Sequence, residues 1–194
     1  EPRAGYINAF LSHASLSAVI RQILRRRHRY GGARSKQPRR INVEFVSANP
    51  TGPLSIAHGR QAAVGDVIAR LLGSQGHRVT KEYYLNDEGR QIELLGRSLQ
   101  ARCAQAAGRE HAVPEDGYHG TYLVSCAGSL MNAHGEAVLQ KPPEWFIERG
   151  MEEQLGAIRR DLARFGLSFD RWTSQRWLRT SSRIDKVLSL LKDQ

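Results

Sequence analysis

The chain has 194 residues, 40% of them hydrophobic and 25% charged, enough to bury a core and with no apolar run near the roughly 20 residues of a membrane-spanning helix. Its 29 Lys and Arg against 19 Asp and Glu leave a formal charge of +10. That balance fits either an anionic partner, nucleic acid first, or a solvated basic surface.

Cys103 and Cys126 stand alone, with no CxxC and no Cys/His cluster. This argues against a zinc site and fits small buried residues of a reducing compartment. The chain opens at Glu1 with no Met and no signal-type segment, and is read as beginning inside a longer protein.

In chain order, Leu16, Val19, Ile20, Ile23 and Leu24 fall at helical spacing and predict an amphipathic helix from Ser15 to about Tyr30. It runs into Arg25, Arg26, Arg27, His28 and Arg29, stops at Gly31-Gly32, and gives way to a basic, Pro-containing linker, Ala33 to Arg40. The arginines read either as a phosphate-contacting patch or as charges favoured by a helix C-terminus.

Ile41 to Val46 is β-branched and predicts a strand; Gly59 to about Ser74 predicts a helix with Ala62, Ala63, Val67, Ile68, Leu71 and Leu72 on one side, stopped by Gly76. Val79 to Leu85 reads as a second strand, parallel to the first through a right-handed crossover. Ile92, Leu95, Leu99 and Cys103 mark a helix opened by Asn86-Asp87. Beyond Gly108 the pattern weakens to a polar loop, a helix around Tyr122 to Ala133, and Pro142-Pro143. Met151, Leu155, Ile158, Leu162 and Phe165 give an apolar stripe closed by Gly166, Leu167 to Trp172 a third strand, and Ile184, Val187, Leu188 and Leu191 a last helix.

The most informative stretch is Val43 to Gly59, where a strand stops at Asn49-Pro50-Thr51-Gly52-Pro53 and His58-Gly59 opens a helix. A helix whose first turn faces back over a strand end collects free N–H groups and the positive dipole end, and so suits a phosphate. Ser47 and Asn49 stand at the C-terminal end of that strand, where open α/β sheets bind ligands; Ser47-Ala48-Asn49-Pro50 is equally explained as turn chemistry. Asn86 and Asp87 end the second strand, to line a pocket or to cap the next helix.

The string from Glu44 to Leu54 (EFVSANPTGPL), with His58-Gly59-Arg60 and Ala62 to Asp66, resembles the catalytic domain of the bacterial-type arginyl-tRNA synthetases, a class I family. Glu82 to Gly89 resembles the family's next strand and turn, and Gly5 to Asn8, Asp116 to Gly120 and Asp161 to Gly166 are further echoes. The resemblance implies an α/β fold: the first half of a Rossmann-type parallel sheet with a mostly helical insertion. It divides the chain into residues 1–38, the end of an N-terminal tRNA-binding region; 39–107, the first half of the nucleotide-binding domain; 108–150, the insertion; and 151–194, the return to the catalytic domain.

The reaction it implies is ATP-dependent activation of L-arginine to arginyl-adenylate and transfer to tRNA(Arg), by a cytoplasmic, monomeric enzyme that uses magnesium with ATP; no protein ligands for the metal are visible. Such catalysis is mostly positioning and electrostatic stabilisation at the α-phosphate. By resemblance, His58 and Ser55 fall on the catalytic signature. Asn49, Pro50, Ser55, Ala57, His58 and Gly59 face ATP, the N–H groups near Gly59 and Arg60 included. Glu44, Ser47, Asn49 and Asn86 face arginine, and Arg25, Arg26, Arg27 and Arg29 are candidates for tRNA.

Two departures fall on that chemistry. The expected His-x-Gly-His reads Ser55-Ile56-Ala57-His58, which removes one phosphate-facing donor, a loss typically costing about 2.7–4 kcal/mol of barrier, and adds a methyl beside the nucleotide. The chain also stops at Gln194, ahead of the family's second half-sheet, its Lys-Met-Ser-Lys-like loop and its anticodon-binding domain, so this piece alone is expected to be inactive. Two rivals stay open: a non-catalytic synthetase-like paralogue that binds nucleotide or RNA, and an enzyme that adenylates another small acid.

Overall fold

The computed structural model describes residues 8–192; Gly5, Tyr6 and Ile7 of the first echo lie outside them. Three strands, β1 (Arg40–Glu44), β2 (Arg78–Leu85) and β3 (Arg171–Ser174), form one sheet in the order β1-β2-β3, both pairs parallel. The expected α/β parallel sheet is therefore present, the first strand beside the second, with Ile41 opposite Val79 and Tyr83 opposite Trp172.

β1 stops two residues short of the expected Val46. Val46 and Ser47 take φ values of 67° and 40°, a region uncommon for non-glycine residues, and turn the chain out of the sheet. β3 lies later than the expected Leu167–Trp172. Leu167 is buried and Phe169 packs beside it, but in an irregular segment. Pairing begins at Asp170, whose N–H donates to the Lys81 carbonyl (3.0 Å) while its carboxylate accepts from the Lys81 N–H (2.8 Å). Apolarity marked the segment that enters the core; the ladder follows it.

Helix α2 (Ile56–Ser74) joins β1 to β2, and Gly76 (φ +86°) turns the chain behind it. The helix begins three residues before the expected Gly59, with Ser55 as N-cap, and it buries Ala62, Gly65 and Ala69 rather than Val67, Ile68 and Leu71, which are half-exposed or more. Small residues win this face because the helix lies close to the sheet: a Cβ on Gly65 would run into the Phe45 ring.

Helices α3 (Arg90–Ala106), α4 (Thr121–His134) and α5 (Pro143–Arg164), with a 3-10 turn at Gly135–Gln140, build a second layer. α5 starts at Pro143, a residue preorganised for the first helical turn, eight residues ahead of the expected stripe. α3 and α5 pack closely where Gly96 faces Ile147 and Gly150 faces Leu95. Phe165, expected in the α5 stripe, is 57% exposed, and Gln154 is buried instead.

The core has two parts. One joins α3, α4, the 3-10 turn and the start of α5 through Leu95, Leu99, Cys103, Leu123, Val138 and Phe146. The other joins the sheet to the end of α5 through Val46, Tyr83, Ile158, Leu162 and Leu167; Tyr83 stacks on Trp172 (4.2 Å between centroids) and meets Phe169 edge-on (5.3 Å). α5 runs through both. Helix α1 (His13–Arg26), which continues into a 3-10 turn at Arg27–Arg29, and helix α7 (Arg183–Lys192) have no buried residue. Among the described residues no helix is long and apolar enough to cross a membrane.

Candidate functional site

The chain leaves β1 at Glu44, turns through Val46 to Pro53, and enters α2 at Ser55. Two tyrosines, one from each half of the core, hold this turn. The Tyr83 hydroxyl donates to the Ala48 carbonyl (2.8 Å) and the Tyr122 hydroxyl to the Thr51 carbonyl (2.5 Å). Burial pushes both phenols up to about 12. Gly52 leaves room for the second contact, since a Cβ there would lie 3.3 Å from the Tyr122 hydroxyl.

Within that frame the polar side chains are oriented by one another. The Ser47 hydroxyl donates to Glu44 Oε1 (2.6 Å) and accepts from the Tyr84 N–H (3.1 Å), tying the first residues after β1 to β2. Asn49 Nδ2 donates to Gln91 Oε1 (2.5 Å), which fixes the orientation of its amide. His58 Nδ1 accepts from the Ser55 N–H (3.0 Å) and lies 3.0 Å from the Ser55 hydroxyl. With Nδ1 accepting, the neutral ring carries its proton on Nε2, and that N–H is the donor left for a ligand.

Three clefts surround the turn. One of about 890 Å³ lies between β1 and α2 and is lined by Glu44, Ser47, Ala57 and Arg60. A second, of about 590 Å³, lies on the sheet face opposite Tyr83, over Glu44, Glu82, Tyr84 and Thr173. There Glu82 accepts from both Asn42 and Thr173, one residue from each flanking strand. The third, of about 400 Å³, is lined by Asn49, His58, Gln91, Tyr118 and Tyr122.

The site residues expected from sequence are thus divided. Glu44 and Ser47 are bonded to each other, but Asn49 lines a different cleft, with His58. Asn86 lines none of these clefts and has no side-chain hydrogen bond among the described residues. Pro50 is wholly buried and shapes the turn without offering a ligand any surface. Ser55 and Ala57 are exposed at the helix start, Ala57 facing the β1–α2 cleft rather than His58's. The Gly59 N–H donates to the Ser55 carbonyl (3.1 Å), so the free donors of this helix start lie ahead of Gly59.

Asn86-Asp87 does not open α3, whose N-cap is Gly89. Asp87 instead caps α6 (Gln175–Thr180): it accepts from the Ser174 hydroxyl (2.5 Å) and the Arg176 N–H (2.9 Å). Beside it Glu88 pairs with Arg179 (2.9 Å), whose hydrogen bonds hold that carboxyl below its ordinary range. Arg25, Arg26, Arg27 and Arg29 are exposed and in no ion pair among the described residues. His28 and Arg29 share a cleft with Ser74, and the Ala33 N–H donates to the Ser74 carbonyl (2.9 Å). That puts the basic cluster at the far end of α2 from His58, roughly 24 Å along the helix from His58 to Ser74.

A family model described as the catalytic domain of class I tRNA synthetases of the R type matches residues 19–116, half of the chain. The chain belongs to the arginyl class I tRNA synthetases. It is 40% identical over 194 residues to arginine–tRNA ligase 1 of Halalkalibacterium halodurans, covering 98% of this chain and 35% of that one. Against the arginine–tRNA ligase of Moorella thermoacetica the identity is 42% over 192 residues, covering 97% and 34%. A Campylobacter jejuni crystal structure assigned as an arginyl-tRNA synthetase superposes with a TM-score of 0.79 at 30% identity, over 94% of this chain and 40% of that one. The chain thus spans about a third of the length of the curated relatives it matches.

The sequence reading missed Gln91, Tyr83 and Tyr122 as the residues that hold the synthetase turn. For Gln91 and Tyr83 the signal was weak, since a helix-start glutamine and a strand tyrosine have no spacing rule. Tyr118 was visible inside the Asp116–Gly120 echo and Tyr122 lies just beyond it, but nothing in the string says that Tyr122 returns to Thr51.

Proposed function

We propose that the chain carries the first half of an arginine–tRNA ligase active site: ATP-dependent activation of L-arginine followed by transfer to tRNA(Arg), with ATP bringing its magnesium. The observation that supports this best is the pinned turn from Ser47 to Pro53 together with His58, whose Nδ1 is taken up by the α2 cap so that Nε2–H is the donor offered to a phosphate oxygen. The first-turn N–H groups ahead of Gly59 add to it. In this reading Ser55 and Ala57 belong to the ATP side and Glu44 and Ser47 to the arginine ammonium, with Asn49 reaching the carboxylate. Arg25, Arg26, Arg27 and Arg29 touch tRNA far from the reacting atoms, and the protein works in the cytoplasm.

The test is arginine-dependent exchange of labelled pyrophosphate into ATP with tRNA(Arg) present. The 194-residue chain alone is expected to give none, because its clefts are open on one side. A protein extended to the length of its relatives should exchange, and His58→Ala should abolish that. Extended protein without exchange would overturn the reading.

A second reading, a synthetase-like module that binds nucleotide or RNA without ligation, is favoured by one observation: Ser55, in place of a second phosphate-facing imidazole, serves as the helix cap. Ser55→His with Ala57→Gly in the extended protein separates the two. A gain in exchange supports a weakened ligase; adenosine binding with no exchange in either form supports the module.

A further inference from the structure

The basic charge of this protein is gathered in one place. Between Asn8 and Val43 stand nine Lys and Arg and no Asp or Glu, whereas from Glu44 to Gln194 the counts are 19 and 18. Nearly all of the +10 therefore belongs to α1 and the loop that follows it. Crowded like charges repel one another, and an anion bound among them relieves the repulsion.

The loop after α1 is clamped onto the end of α2. Arg27, at φ 47°, ends α1, and Gly31, at φ +84°, turns the chain back. Gly32 then passes so near α2 that a Cβ there would lie 3.3 Å from the Ser74 carbonyl. Beyond it the Ala33 N–H donates to the Ser74 carbonyl (2.9 Å), the Ser35 N–H to that of Gln75 (2.8 Å), and the Arg39 N–H to His77 Nδ1 (3.1 Å). The carbonyls of Leu71, Leu72 and Gly73 accept from the N–H groups of Gln75, His77 and Gly76. Each carbonyl that would repel an anion at this helix end is thus covered by a backbone donor.

The fold-back leaves a cleft of about 570 Å³, walled by His28, Arg29, Tyr30, Arg34 and Ser74. That is room for a nucleotide. No carboxylate lines it, and the one acid of α2, Asp66, is held by Arg70 (2.6 Å) and Lys81 (3.3 Å). His28, Arg29 and Arg34 are in no ion pair among the described residues. The Tyr30 ring is 41% exposed and stacks on no other ring or arginine among them. Cations around an open aromatic ring take single-stranded nucleic acid, with phosphates on the charges and a base on the ring. A flat anionic lipid surface would lie along the exposed α1 stripe and could not enter the cleft.

We propose that this cleft seats one unpaired nucleotide of a bound RNA, its base on Tyr30 and its phosphates on Arg29 and Arg34, with His28 as a further donor. The seat rests on the reading of the neighbouring arginines as an RNA contact, and not on the adenylation chemistry, which lies at the other end of α2.

The test titrates the isotope-labelled 194-residue chain with an RNA hairpin that has one uridine bulged from its stem, and with the same hairpin fully paired. The ring signals of Tyr30 and the side-chain signals of Arg29 and Arg34 are followed, and anisotropy gives the affinity. The bulged hairpin should move all three groups and bind more tightly, since the two RNAs carry nearly the same charge and differ in an available base. Tyr30→Ala, at an exposed position, should weaken binding of the bulged hairpin about 5- to 150-fold and that of the paired one little; Tyr30→Phe should retain both. Arg29→Ala with Arg34→Ala should lower the slope of log affinity against log salt by roughly 1–2. Equal affinity for the two hairpins, with no effect of Tyr30→Ala, overturns the seat and leaves a general phosphate patch. Phosphatidylglycerol vesicles that move Tyr30 when neither RNA does so overturn it in favour of a lipid surface. Exchange by the extended protein, with Tyr30 unmoved by RNA, overturns the seat and spares the ligase reading. A nucleotide seated on Tyr30, with no exchange by the extended protein, does the reverse.

Discussion

The turn from Ala48 to Pro53 and the helix α1 relate to the core in opposite ways. The turn is irregular and has no periodic pattern, yet two of its carbonyls are held by a buried and a half-buried tyrosine, one from each half of the core, and Ala48 and Pro50 are buried within it. α1 has the clearest amphipathic stripe in the chain, yet Leu16, Val19, Ile20, Ile23 and Leu24 are all more than 40% exposed. Periodicity states which face a helix would bury if something covered it. It does not state that anything does. Fixed geometry here comes instead from long-range bonds between a loop and two cores, and those carry no periodic signal.

Breaking the pinned side should give the largest effect. Tyr83→Ala removes a fully buried ring stacked on Trp172 and edge-on to Phe169, along with the bond to Ala48. Denaturant unfolding should show a loss of about 3–5 kcal/mol. Tyr83→Phe keeps the ring and leaves the buried Ala48 carbonyl unpaired, costing about 1–3 kcal/mol.

High pH tests the same two pins together. Tyr83 and Tyr122 have folded-state pKa values of about 12, against about 10 in the unfolded chain. Their contribution is therefore complete below pH about 10 and is lost as pH rises through about 12, because the unfolded chain releases the protons first. Phenolate absorbance should show these two tyrosines titrating after the ordinary ones, with the unfolding midpoint falling over that interval.

The α1 side should respond to ligands rather than to folding. Replacing Arg25, Arg26, Arg27 and Arg29 by Ala should leave stability nearly unchanged and make tRNA binding weaker and less salt-dependent, the slope of log affinity against log salt falling by up to about 3–4. Ile20→Ser with Leu24→Ser should change unfolding least of all, within about 0.5 kcal/mol. A large loss there would mean that the stripe is already covered, and the contrast with the turn would fail.

These contrasts also mark what was legible beforehand. The β1–α2–β2 unit could be read because a β-branched run, a Pro/Gly turn and a Gly stop lie within 45 residues, and its strands pair as expected. The buried face of α2 could not, because close approach to Phe45 selects Ala62, Gly65 and Ala69 over larger apolar side chains. β3 was displaced because core-facing apolar residues precede the hydrogen-bonded ones. The candidate site was legible as a string around Asn49 and His58. Gln91 and Tyr122, which orient it, lie 42 and 71 residues away from their partners and were invisible to local pattern.

The same separation in sequence sets a clock. Asp87 finds its α6 partner 89 residues further along the chain. At a ribosomal rate of about 5–20 residues per second, the end of β2 waits roughly 4–18 s before residue 176 is made. α3, α4 and all of α5 have been made before then, and with them the residues of their own cluster. During synthesis the helical half is thus the platform, and the loop carrying Asp87 and Glu88, at the carboxyl end of the central strand, locks only once α6 is made.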